Sequence, residues 1–259
     1  MNINVNIKSK LSLKIIGAIH GRLRPNGKNR RGAPWKYALE NVVEAFLFRL
    51  KTALPLRLIA ALFLIPLTTL FRHCRRLTLL LATLHERDKP VHEADHLIVD
   101  TTSTRVRTGD VQFYSDYKKQ RVVKVQVIYC DKGVVRHVSN HYPGSIHDKR
   151  IWDLEFPGIP RHHAILADRA YAGALGDGSF LHRPVRENEK AYKADTFKAK
   201  EQHRQLSLKR VKIEHLFARL KTWRIIHHYF PQHPETFSTV FKAIAHIHNR
   251  MVLERLGEL

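Results

Sequence analysis

Cysteine is scarce in this chain of 259 residues: Cys74 and Cys130 are the only two, and no CxxC spacing occurs. That excludes a disulfide scaffold or a zinc ribbon as the organising device. Acidic residues are the next shortage, 23 against 45 Lys and Arg, which leaves a formal net charge of +22. Solubility alone does not ask for so much charge. A polyanion does, and nucleic acid fits best, because Lys and Arg that neutralise phosphates release condensed counterions. The bland counterpart is a basic soluble protein without such a partner. Long apolar runs are also few. Leu54 to Phe71 approaches the length of a membrane span, yet Pro55, Arg57 and Pro66 interrupt it and Arg72, His73, Arg75 and Arg76 follow at once, so no span is expected. The lysines of Met1 to Lys14 are not followed by an apolar core and a small-residue cleavage site, so no secretory signal is expected and a cytoplasmic location is, nucleoid-associated in a bacterium.

What the chain does have is enough apolar material, 44%, for a proper core. Its 18 histidines include the pairs His162-His163 and His227-His228, which sit among basic residues without zinc-ligand spacing and read as DNA-facing or structural. Residues 1–36 carry nine basic side chains and no acidic one, and 1–34 read as a basic arm lying on phosphates. Residues 35–92 turn helical: Ala38, Val42, Val43, Phe46, Leu47 and Leu50 recur at three and four residues. A second helix, Leu56 to Leu64, is expected to close at Ile65-Pro66, with Thr68 and Thr69 capping a third. Helix, tight turn and Thr-led basic helix have a helix-turn-helix shape, in which Thr68, Thr69, Arg72 and Arg76 would approach DNA; an ordinary packed helix pair is the competing reading. The polar stretch Glu86 to Asp95, with Pro90, reads as a linker.

From residue 93 to 259 the pattern is that of an α/β domain. Leu97-Ile98-Val99 reads as a buried strand ending in Asp100. Val122 to Cys130 and Val134 to Val138 flank Asp131-Lys132-Gly133, a hairpin turn. Ser145 is expected to cap a helix from Ile146 to Leu154, and Ala164 to Ala167 form a strand ending in Asp168. Residues 173–205 read as a long polar surface loop, and Ser207 to Trp223 and Phe237 to Leu256 as helices. A carboxylate after an apolar strand is expensive unless compensated. At a sheet edge it can face a crevice, where a cation shared by two such strand ends removes their repulsion; capping the next turn is the other reading. On the helix from Ser207, Arg210, Glu214 and Lys221 share one face, as a functional set or as an ordinary salt-bridge ladder.

Five segments in order, HLIVDTT, YSDYKKQRVVKVQV, PGSIHDKRIWD, LADRAYAG and RVKIEHLFARLKTWR, resemble the DDE transposases of insertion sequences and the related Harbinger-type nucleases. The resemblance runs from about His96 to Asn249. It implies a ribonuclease H-like mixed sheet flanked by helices, with Asp100, Asp168 and Glu214 as catalytic carboxylates holding two Mg²⁺ or Mn²⁺ ions. Arg210, Glu214 and Lys221 keep the spacing of the family signature Tyr-x2-Arg-x3-Glu-x6-Lys, whereas Ser207 stands in place of its tyrosine. In that reading Lys221 contacts a DNA phosphate near the scissile bond, and Arg210 does likewise or steadies Glu214. His147-Asp148 matches a His-Asp pair of the family; a helix-start contact is the competing role for Asp148. Lys118, Lys119, Tyr114 and Tyr171 mix basic and aromatic character and read as DNA contacts, with Tyr114 also suited to the core. The implied activity is metal-dependent cleavage and strand transfer on duplex DNA, element ends and target, by a homo-oligomer. A non-catalytic DNA-binding descendant and an endonuclease that does not transpose are the alternatives.

Overall fold

The structure is a computed structural model that describes residues 37–87 and 97–257, except 157, 160–162, 185–188, 190–192 and 194. The basic arm and the linker around Pro90 lie outside the described residues. Helix α1 (Leu39–Thr52) turns Val42, Val43, Phe46, Leu47 and Leu50 inward, as their spacing requires. It closes on Ala53, whose left-handed backbone (φ 56°) returns its amide to the carbonyl of Arg49. Helix α2 (Leu56–Leu62) is shorter than expected, and α3 (Leu67–Arg87) starts before Thr68, bent 110° from α2. The corner is made by Leu64 in the left-handed region (φ 53°) and by Pro66, whose carbonyl accepts the Leu70 amide. A residue with no amide of its own suits a helix start, so the proline displaces the threonines from that role. No single described helix is long and apolar enough to cross a membrane; α2 and α3 reach that measure only as a bent pair, and Leu70, Cys74, Leu77 and Leu81 of α3 are buried within the protein.

The sheet has eight strands, ordered β2-β3-β1-β6-β7 along its main path. Strand β1 (Leu97–Val106) runs antiparallel to β3 (Gln120–Cys130), from Leu97 opposite Cys130 to Arg105 opposite Val122. Strands β4 (Val135–Val138), β5 (Tyr142–Pro143) and β2 (Tyr114–Ser115) pair with β3, the first through the expected turn, where Gly133 takes φ 92°. On the other side β1 lies parallel to β6 (Ile165–Leu166) and to β8 (Tyr229–Phe230), and β6 parallel to β7 (Leu181–His182).

Alternation along β1 and β3 sends side chains to two cores. Ile98, Val123, Val125 and Val127 join one continuous cluster with α1 to α3, helix α5 (Thr196–Leu220) and helix α6 (Phe237–Leu256). Leu97, Val99, Ile128 and Cys130 join a second with Trp152 and Tyr171, where Trp152 lies on helix α4 (Asp148–Leu154). Helix α6 has the bounds expected of it, and its Asn249 side chain both accepts from and donates to the Val135 backbone at 2.7 Å, fixing α6 to β4. Two boundaries need correction. Helix α5 begins at Thr196, inside the stretch expected to be loop; the described side chains at its start, Thr196, Phe197, Lys200 and Glu201, are exposed, so no buried apolar stripe shows among them. Helix α4 begins at Asp148, capped by His147 and not Ser145, because the His147 ring nitrogen accepts the Lys149 amide. The class is as expected, a mixed α/β sheet flanked by helices, and is consistent with a nuclease fold.

Candidate active site

Asp100 lies inside β1 and not at its end, yet it faces an opening. Along one edge β1 is paired to β6 at Leu97 and Ile98 and to β8 at Arg105 and Val106, which leaves a gap between the two parallel neighbours among the described residues. Such a gap is where an open α/β sheet offers a crevice. Ile98 sits opposite Leu166, and Asp100 and Asp168 each follow by two residues. The backbone of Asp168 is still extended (φ −88°, ψ −179°), so the two aspartates arrive side by side on the face of Ile98 and Leu166. One oxygen of Asp100 accepts the Thr101 amide at 2.7 Å, and one of Asp168 accepts the Ala170 amide at 2.8 Å. Asp168 therefore caps a single helical turn, Arg169–Tyr171, and also stands beside Asp100; the two readings of this residue coexist.

A third carboxylate comes from the opposite face. Asp148, first residue of α4, pairs through Oδ1 with Lys124 Nζ at 2.7 Å. Lys124 and Gln126 alternate with valines along β3, a pattern that reads as one wet face, but both are buried. A buried ammonium requires a partner, and Asp148 supplies it. Gln126 Nε2 donates to the Tyr171 hydroxyl at 2.8 Å and to the Asp148 carbonyl at 3.2 Å. Tyr171 is wholly buried, which corrects its reading as a strand contact: it is a wall of the site. Its phenol titrates well above the ordinary range, through burial first and then through Asp148, Asp100 and Asp168, with the Gln126 bond opposing. All three aspartates thus act on one hydroxyl. The sequence shows Lys124 and Gln126 alternating with Val123, Val125 and Val127 but does not single them out as site residues; the signal was a Lys and a Gln inside a run of valines.

The cations gather on one side. Lys118 donates to Ser103 Oγ, and its ammonium is held below its usual range by burial first and then by Lys124, against the pull of Asp148. Lys221, just past α5, is likewise held down by burial and then by Lys118. Lys119 is exposed in a left-handed turn (φ 50°), and Tyr114 is 38% exposed at the start of β2. On α3, Arg72, Arg75 and Arg76 are exposed beside the half-buried Thr69. Arg210 belongs to α5, but its side chain, like that of Ser207, lies outside the described residues.

Glu214 also lies on α5, whose Ile213, Leu216 and Leu220 are buried while Glu214 itself is exposed. Among the described residues no group of three or more His, Cys, Asp or Glu side chains is arranged to hold a metal ion. The structure therefore sets Asp100 beside Asp168, puts Asp148 across the sheet within electrostatic reach of the same Tyr171 hydroxyl, and does not gather Glu214 with them. For a hard divalent cation the fit rests on the aspartate pair: oxygen donors, adjacent, at the rim of a crevice, with Lys124 already neutralising the third carboxylate.

No curated protein and no solved structure matches the chain. The family model for the DDE superfamily endonuclease, in contrast, matches residues 97–249, a span that begins with β1 and takes in Asp100, Asp168, Glu214 and Lys221. That is more than half of the chain, and the chain belongs to the DDE superfamily endonucleases.

Proposed function

We propose that the protein is a DDE transposase that cleaves duplex DNA and joins the freed end to a target, with Asp100, Asp168 and Glu214 as its catalytic carboxylates. The observation that carries this is the placement of Asp100 beside Asp168 at the gap in the sheet. Two Mg²⁺ or Mn²⁺ ions, when bound, supply a lowered pKa for the attacking hydroxyl and charge stabilisation for the leaving oxygen. The chain's own residues do the rest. Asp100 and Asp168 would hold the divalent ions through their carboxylate oxygens, and Glu214 on α5 would supply the third carboxylate. Lys221 holds the phosphate next to the scissile bond, Arg210 steadies Glu214 or grips the same strand, and Lys118 and Lys119 meet the backbone on the other side. Arg72, Arg76 and Thr69 of α3 contact duplex DNA away from the cut, and two protomers hold the two element ends.

Metal-dependent nicking and end joining on terminal-repeat DNA test this. Asp100→Ala and Asp168→Ala should each abolish nicking with DNA binding retained; activity surviving either substitution refutes the mechanism. Nicking without joining identifies an endonuclease that does not transpose. A second reading, a DNA-binding protein that no longer cuts, is favoured by the exposure of Glu214 apart from the aspartates; binding without carboxylate-dependent nicking under any divalent cation would establish it.

A further inference from the structure

Two hollows open beside Lys221, and apart from Lys221 none of their residues has a part in the cleavage chemistry. One, of about 600 Å³, is lined by Arg105, Arg107, Arg121 and Tyr229. The other, of about 860 Å³, is lined by Lys221, Arg224, His227 and His228, and again by Tyr229. Tyr229 is their common wall, and no Asp or Glu lines either hollow among the described residues. The Arg107 guanidinium sits 4.8 Å from the centre of the Tyr229 ring, and the rings of His227 and His228 stack at 3.8 Å. Cations crowded together without an anion repel. His227 titrates below its usual range, through burial first and then through His228, Lys221 and Arg224. A solvated face of flexible lysines would relax such crowding, but here the Arg107 guanidinium rests on the Tyr229 ring, and the backbones of Arg105 and Tyr229 are paired in the sheet.

That pairing also fixes where the hollows stand. Arg105 follows Asp100 by five residues on β1, an odd spacing that turns the two side chains to opposite faces of the sheet, so the first hollow stands away from the aspartate pair, and the second reaches back towards it through Lys221. We infer that the two hollows form one track for the phosphate backbone of duplex DNA, gripping it away from the phosphate at Asp100 and Asp168. The inference rests on the reading that DNA is cut at those aspartates. Arg105, Arg107 and Arg121 serve one strand of phosphates, and Arg224 and His228 carry the path back to Lys221.

The test is binding of the full chain to a duplex oligonucleotide across a salt series, with Arg107→Gln/Arg121→Gln beside wild type and Arg107→Lys/Arg121→Lys. The Gln variant should lower the slope of log K against log salt by about 1.8, ~0.9 for each lost phosphate contact. The Lys variant should keep the slope, and both should melt as wild type does. Hydroxyl-radical protection of the duplex outside the nicked position should fade in the Gln variant alone. An unchanged slope, or a loss seen only on single-stranded DNA, overturns the track. Because the readout is binding, the two ideas fail separately: a reduced slope with no nicking keeps the track and removes the nuclease, whereas nicking with an unchanged slope removes the track alone.

Discussion

Replacing Asp148 by alanine should destabilise the protein far more than its place in the first turn of a short helix suggests. The Asp148 carboxylate is the partner of an ammonium with only 11% of its side chain exposed, and is itself 21% exposed. Removing one member of a buried ion pair leaves the other charged and uncompensated, which costs roughly 3–5 kcal/mol. The partial exposure of Asp148 puts the expected loss at the lower end, about 3 kcal/mol, or a fall in Tm of ~6–12 °C for a chain of this size. Lys124→Met is expected to cost about 1 kcal/mol, because the surviving carboxylate keeps some hydration and stands at a helix N-terminus, where negative charge is favoured. The double variant should then be more stable than Asp148→Ala alone, with a coupling of about 2 kcal/mol. Urea unfolding of the four proteins, with m-values compared to confirm the same transition, measures all of this. The reasoning is refuted if Asp148→Ala lies within about 0.5 kcal/mol of wild type, the range of ordinary surface substitutions, or if Lys124→Met costs as much as Asp148→Ala.

Other consequences are simpler. A Cβ at Gly144 would lie 2.0 Å from Val122 Cγ2 and 3.2 Å from Ser115 Cβ, so Gly144→Ala should cost about 1–3 kcal/mol in urea unfolding and be partly rescued by Val122→Ala; a neutral Gly144→Ala would show that the β3–β5 contact is looser than described. Tyr171→Phe removes the acceptor of the Gln126 amide and should cost about 1 kcal/mol, an effect absent if the brace beneath the aspartates does not form. His248 is held below its usual pKa by burial first, against the opposing bond of its ring nitrogen to the Gly133 carbonyl at 2.9 Å, with Arg219 and Arg255 adding to the depression. Its neutral form is the one that folds, so its contribution is complete above the ordinary histidine pKa of about 6.5 and is lost as pH falls through the depressed value. His248→Gln should therefore flatten the decline of stability below that pH, and an unaltered slope would exclude the residue as its source.

Much of the catalytic half was legible because its signals are local. Apolar runs broken by Asp100 and Asp168 marked two strands, and Asp131 to Gly133 marked a turn. Strand β1 was read as ending at Asp100 because the residues after it look polar; Thr102 and Thr104 are in fact buried, and the Thr104 hydroxyl donates to the Ile226 carbonyl at 2.6 Å, a contact with a segment 122 residues away. The alternation of Val with Lys124 and Gln126 has the period of a half-exposed strand, and only the docking of α4 makes both faces internal. The start of α5 escaped notice because its described apolar residue, Phe197, is exposed and marks no inward face. Glu214 was placed on the right helix, but how near a helical carboxylate comes to two strand residues is set by tertiary packing that no spacing encodes.

The central claim is that Asp100 and Asp168 share divalent cations. Titration of the full chain with Mn²⁺, followed by electron paramagnetic resonance of the free ion, tests it most directly. Wild type should show saturable sites that Asp100→Asn and Asp168→Asn each remove, with Glu214→Gln weakening but not abolishing the first. Identical Mn²⁺ binding by wild type and both aspartate variants would contradict it.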